Sequence, residues 1–150
     1  MSKPIIYVAH PVSGDVKANS EKVLQWLRWL TKADPTRIYI APWVGEVLAH
    51  LDMDPITADF YDRVLSDDEE VVQRLDGVLL TGVGRAGPYR RDNGLLKSSG
   101  MTREVAAAAL AGGAIYDLSK YATAAEAEAA CSSWGPDKGA DFVDMYRVNR

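Results

Sequence analysis

Cysteine is almost missing from this chain. Cys131 is the only one, so no disulfide can form within the chain, and a reducing compartment fits. It falls in an Ala-rich helical stretch with no histidine beside it in sequence, and it reads as structural. Histidine is nearly as scarce. His10 and His50 are the two present, and no pair has ligand spacing, so no metal site is expected. A Ser/His/Asp triad would have to use one of them, and no nucleophile-elbow pattern accompanies either. No phosphate-binding P-loop is present. The glycines of Thr81-Gly82-Val83-Gly84-Arg85-Ala86-Gly87 lack the spacing and the following helix of a dinucleotide fingerprint. No apolar run is long enough to span a bilayer, and nothing after Met1-Ser2-Lys3-Pro4 resembles a signal peptide, so a cytoplasmic protein without a membrane partner is expected. Positive charge is not in excess either. Lys and Arg number 17 against 21 Asp and Glu, a net charge of −4. That balance argues against a nucleic-acid partner, but not against a small phosphorylated ligand, which needs only a few local cations. Repeats, low-complexity linkers and composition breaks are absent, so residues 1–150 are expected to form a single domain.

What is there is ordinary globular material. The 150 residues are 47% hydrophobic and 25% charged, enough for a sizeable core. Ile5-Ile6-Tyr7-Val8-Ala9 is a continuous apolar run of the kind found in buried parallel strands. A loop, His10 to Asp15, follows it. Next comes a helix with Val16, Val23, Leu27 and Leu30 on one face and Trp26 beside them. Asn19 falls near that stripe and is either a loop anchor or a ligand contact. Arg37 to Ala41 reads as a second strand, Val44 to Leu51 as a short helix, and Asp52 to Pro55 as loop. Ile56 to Leu65 reads as a helix with Phe60 and Val64 inward. Ser66-Asp67-Asp68-Glu69 matches a capping box and predicts that a new helix starts there. Gly77 to Thr81 is a third strand and Ala114 to Leu118 a fourth. Thr123 to Ser133 reads as a helix, and the tail after Gly139 as a strand, a helix or a surface for a neighbouring subunit. Strands alternating with helices predict a parallel sheet with helices on both faces. In such folds ligands sit outside the carboxyl ends of the strands.

That rule converges on Ser98-Ser99-Gly100-Met101-Thr102-Arg103-Glu104. Hydroxyls and a glycine open a helix that runs through Val105 to Leu110 and stops at Gly112-Gly113. Unpaired N–H groups and the positive dipole end favour anions at such a start. Glu104, placed in the first turn, is expected to be ionised and is a plausible nucleophile. The same residues are also common helix-start residues without any catalytic role. The loop Gly82 to Lys97, with Arg85, Arg90, Arg91 and Lys97, reads either as a cover over this site or as a solvated basic loop. A carboxylate site with hydroxyls and arginines nearby suits attack on an anomeric carbon.

Three segments in order carry a family resemblance. They are Ile6 to Pro11 with Ser13-Gly14 and Asn19, Asp68 with Leu75 to Leu80, and Ser98-x-Gly100 with Glu104 and Gly112-Gly113. Together the chain resembles the nucleoside 2-deoxyribosyltransferase-like superfamily, which includes the nucleoside 5′-monophosphate N-glycosidases. The resemblance implies a flavodoxin-like α/β fold, cleavage of an N-glycosidic bond, no cofactor, and a homo-oligomer acting on a nucleotide or nucleoside. It implies that Glu104 is the nucleophile, that Tyr7 sits near it, and that Asp68 contacts the sugar hydroxyls, with Asp67 nearly as good a candidate. Ser98, Gly100, His10, Ser13 and Asn19 would bind the substrate. Ser98 stands where the transferases carry an aspartate, which points to a 5′-phosphate. Two features depart from the pattern: Ala9-His10-Pro11 replaces a small Gly/Ser pair, and the Gly82 to Lys97 insertion is long. Tyr146 and Asn149 are the tail candidates for a contribution to a neighbour's site. A non-catalytic nucleotide- or nucleotide-sugar-binding module of the same fold is the alternative. An assembly protein using the Val105 to Ala111 run is a third reading.

Overall fold

The computed structural model describes residues 2–50, 58–85, 88–91, 93, 95–131 and 141–150. Four strands form one all-parallel sheet: β1 (Ile5–Ala9), β2 (Ile38–Ile40), β3 (Gly77–Leu80) and β4 (Ala114–Asp117), in the order β2-β1-β3-β4. The expected α/β, flavodoxin-like sheet with helices on both faces is what the chain adopts. The central strands are apolar throughout because both of their faces are covered. In register, Tyr7 lies beside Ile40 on one side and Val78 on the other. Gly77 is required by this packing, since a Cβ there would stand 2.5 Å from the Ala114 carbonyl oxygen of the neighbouring strand.

The helices follow from their ends. Helix α1 (Val16–Ala33) starts where the Asp15 carboxylate accepts the Ala18 N–H. Its buried stripe is Asn19, Ser20, Val23, Trp26 and Leu30, with Leu27 only half-buried. Helix α2 (Pro42–Ala49) begins two residues earlier than Val44, because proline suits the first helical position. The loop predicted at 52–55 lies outside the described residues. Helix α4 (Ser99–Leu110) is capped by the Ser98 hydroxyl and ends before Gly112, whose φ is +71°. Ala107 and Ala108 face inward while Leu110 is exposed, so the Ala-rich run serves the sheet packing. Helix α5 (Ala124–Ala130) starts at Thr123, with Glu126 reaching back to the Ala122 N–H.

One prediction fails here. Ser66 to Glu69 do not start a helix; they lie inside α3 (Ala58–Arg74), which runs unbroken. The capping-box residues are compatible with a helix interior, and the inward stripe of Val64, Asp68 and Val72 continues across them. Right-handed crossovers put α1 on one face of the sheet and α3 and α4 on the other. Helix α5 packs beside α1, and α3 packs along α4. Among the described residues, no helix is long and apolar enough to cross a membrane.

The tail turns through α6 (Asp141–Asp144), burying Phe142 and Val143, then runs antiparallel along β4. Tyr146 accepts the Asp117 N–H through its carbonyl, and the Asn149 side chain bonds both Ile115 and Gly113. These two residues therefore cover the chain's own sheet edge. A polar knot fastens the same end of the molecule. The buried Asp34 carboxylate accepts from Thr36, Tyr39 and Arg37, and Arg37 continues to Asp144. Burial alone would raise the Asp34 pKa, but these donors outweigh it and hold the pKa below the usual carboxylate range. Asp34→Ala removes the buried acceptor shared by Thr36, Tyr39 and Arg37 and is expected to lose about 3 kcal/mol of stability in urea unfolding. A loss below about 1 kcal/mol would show that the knot adds only what an exposed ion pair does.

Candidate active site

The strand ends open on a cavity of about 550 Å³. Its size falls in the range of small-molecule sites. The first loop contributes His10, Val12, Ser13 and Gly14; α2 contributes Trp43 and Val47; α3 contributes Tyr61, Val64, Leu65 and Asp68. Opposite stand Pro88, Tyr89 and Lys97 from the long loop, and the start of α4 as far as Glu104. The first loop, the long loop after β3 and the start of α4 thus meet here, together with the middle of α3.

Glu104 belongs to the second turn of α4, not the first, because α4 starts at Ser99. It continues the inward stripe of Met101, Glu104 and Ala108, and only 6% of its surface is exposed. The expectation of an ionised carboxylate is overturned. Burial pushes its pKa from 4.5 up to about 8; the Tyr7 hydroxyl pulls down, while the Asp68 and Glu69 charges push further up. The helix dipole does not rescue the charge, because its effect fades beyond the first turn. Asp68 is raised to about 7, again by burial first, with the Glu46 charge adding to it. Tyr7, fully buried on β1, is raised well above its usual value by burial and by the two carboxyls beside it. The Tyr7 hydroxyl and Asp68 Oδ1 are buried and complete no hydrogen bond of normal geometry within the protein. Such groups are rare, and here they lie beside a cavity. The two helices are held together outside this cluster by Arg103, which pairs with Glu69 and Asp62.

The remaining residues fall into distinct places. Asp68, not Asp67, faces the cavity. His10 lines it but is neutral: burial lowers its pKa to about 4, and its Nδ1–H donates to the Pro11 carbonyl. Its ring presses on Gly82, where an added Cβ would fall 2.2 Å from Nε2. Ser13 and Gly100 line the cavity, Gly100 packing under Leu65. The Ser98 oxygen accepts the Met101 N–H as the helix cap, leaving its own hydrogen to donate. Asn19 is buried outside the wall, and its amide donates to the Val12 and Ser13 carbonyls and to Tyr89; this is the anchor reading. The basic loop is divided. Arg90 bonds the Gly84 carbonyl and the Ser119 hydroxyl, while Arg85 and Arg91 are exposed and outside the wall. Lys97 supplies the cation of the wall among the described residues.

Trp43, Tyr61 and Tyr89 escaped the sequence reading, while Lys97 was named there as one of the basic residues of the long loop. The Tyr61, Val64, Leu65, Asp68 spacing was a signal for one of them, masked by the assumed helix break at Ser66. Among the described residues, no three His, Cys, Asp or Glu side chains are placed to hold a metal ion. Compared with known proteins, the chain matches no family model and no curated protein.

Stability should report the buried charge directly. Between pH 4.5 and about 8 the folded chain holds a proton on Glu104 that the unfolded chain has released. Unfolding in this window therefore releases a proton, so stability falls as pH rises and levels off above pH 8. Glutamine carries no such proton. Glu104→Gln is expected to melt roughly 5 °C above the wild type at pH 8 and close to it at pH 5. A thermal-denaturation series with parallel pH curves for the two proteins would contradict the assignment.

Proposed function

We propose that the cavity binds a (deoxy)nucleoside 5′-monophosphate and cleaves its N-glycosidic bond. The observation that carries the reading is the cluster of two buried carboxyls, Glu104 and Asp68, around the Tyr7 hydroxyl beside a cavity of small-molecule size. Cleavage at C1′ passes through an oxocarbenium-like centre, and carboxylates in a water-poor site stabilise that charge. A Glu104 oxygen bonds to C1′ as the C1′–N bond breaks; the bonding electrons leave with the base, which takes up a proton. Water, or a second base, then displaces Glu104. The unpartnered Tyr7 hydroxyl donates to the ionised Glu104 and orients it. Asp68 Oδ1 accepts from a sugar hydroxyl. Ser98 donates its remaining hydrogen to the phosphate, and Lys97 neutralises it. Trp43, Val47, Val64 and Met101 form an apolar wall suited to a base.

The raised pKa shapes the kinetics. At pH 7 most molecules carry a protonated Glu104 in the empty site. Release of free base from a nucleotide panel, followed by chromatography, is expected to have a kcat/KM that rises through pH 8 and then levels. Glu104→Gln should lower it about a thousandfold with the fold intact. A rate that falls as pH passes 8 would assign Glu104 as an acid instead of a nucleophile. Equal rates for wild type and Glu104→Gln would end the catalytic reading.

The same raised pKa favours a second reading, a non-catalytic nucleotide-binding module. A protonated Glu104 donates a hydrogen bond without needing to ionise. Nucleotide binding that survives Glu104→Gln, with no base released from any nucleotide, would select this reading.

A further inference from the structure

The long loop after β3 touches the first loop through one side chain. Tyr89 lines the cavity, donates its hydroxyl to the Ser13 carbonyl at 2.8 Å, and accepts from Asn19 Nδ2 at 3.0 Å. Its seat is shaped for a hydroxyl. Gly14, with φ at +100°, has no side chain there, and a Cβ on it would lie 3.1 Å from the Tyr89 oxygen. Asn19 is itself held by the Val12 and Ser13 carbonyls, so the latch closes on a rigid partner.

The backbone behind Tyr89 is pinned much more firmly than its ring. The Tyr89 carbonyl accepts the Lys97 N–H at 2.9 Å, and the Arg91 N–H donates to Leu95 at 2.8 Å. Arg90, the next residue, bonds the Gly84 carbonyl at 2.8 Å and the buried Ser119 hydroxyl at 2.7 Å. What can open is therefore the side chain, by rotation about its own torsions. Half-exposed side chains rotate quickly once their polar contacts break. The bonds that resist this rotation are the two at its hydroxyl, to the Ser13 carbonyl and from Asn19.

The geometry points to Tyr89 as a gate: its ring closes one side of the cavity, its hydroxyl is latched to Ser13 and Asn19, and its rotation admits the ligand. The gate does not depend on what chemistry the cavity performs, so its test uses no nucleotide. With Cys131→Ser to remove the native thiol, Val47→Cys places a reactive thiol in the cavity wall. The probe is a methanethiosulfonate ethylammonium reagent, and the readout is the rate of thiol modification. Adding Tyr89→Phe keeps the ring and deletes the latch. It is expected to speed modification at least about tenfold, the effect of losing the two hydrogen bonds that hold the closed state. Unchanged or slower modification would overturn the gate. A parallel measurement on the native Cys131, buried on the α5 side, separates gating from general loosening. Tyr89→Phe must leave that rate unchanged; an equal rise at Cys131 would also overturn the proposal.

Discussion

Two carboxyl groups from α3 and α4 and a phenol from β1 are held out of water together. This burial is the constraint from which the behaviour of the cavity follows. Desolvation is the largest cause of all three shifts, at Glu104, Asp68 and Tyr7. Each charge that forms there is opposed by the others. A chain selected for stability alone would place apolar groups at such positions. Keeping ionisable ones costs stability at neutral and higher pH, and sites that do chemistry are where such costs concentrate. Arg103 contributes from outside, drawing α3 and α4 together through Glu69 and Asp62.

The parallel sheet separates this strained end from the end that secures the fold. At the start of β2, Asp34, Arg37 and Asp144 form a network in which the buried carboxylate has its donors. The tail covers the edge of β4. At the opposite, carboxyl ends of the strands, buried polar atoms lack partners, and the connections are long enough to enclose a cavity. Parallel strands make this division natural, because every βα connection emerges at the same end.

Much of this was legible in the residues. The apolar runs at 5–9 and 77–80 marked central strands, and the alternation of strands and helices marked the sheet as parallel. Ser98 and Glu104 stand out in the residues, and the family resemblance adds Asp68 and Tyr7; Ser98, Asp68 and Glu104 line one cavity, and Tyr7 lies beside the two carboxyls. The failures share a cause. Ser66 to Glu69 carry a local pattern that suits a helix start and a helix interior equally, and only the packing of Asp68 against the sheet end chose the interior. Glu104 was assigned a charge from its nearness to a helix start, but its protonation depends on which side of α4 is buried. Asn19 and Arg90 could each have met a ligand or the protein, and both bond their own chain.

From sequence alone, continuous apolar runs determined the central strands and period-3.6 apolar stripes most of the helices, because burial on both faces of a strand or along one stripe of a helix is a local demand. The sequence also determined which residue types stood at the strand ends. The tertiary structure alone decided the protonation of Glu104 and Asp68, the choice of Asp68 over Asp67, and the place of Tyr89 in the cavity wall. Those depend on distances between residues dozens of positions apart, and on how much water remains between them, and no local pattern in the chain encodes either.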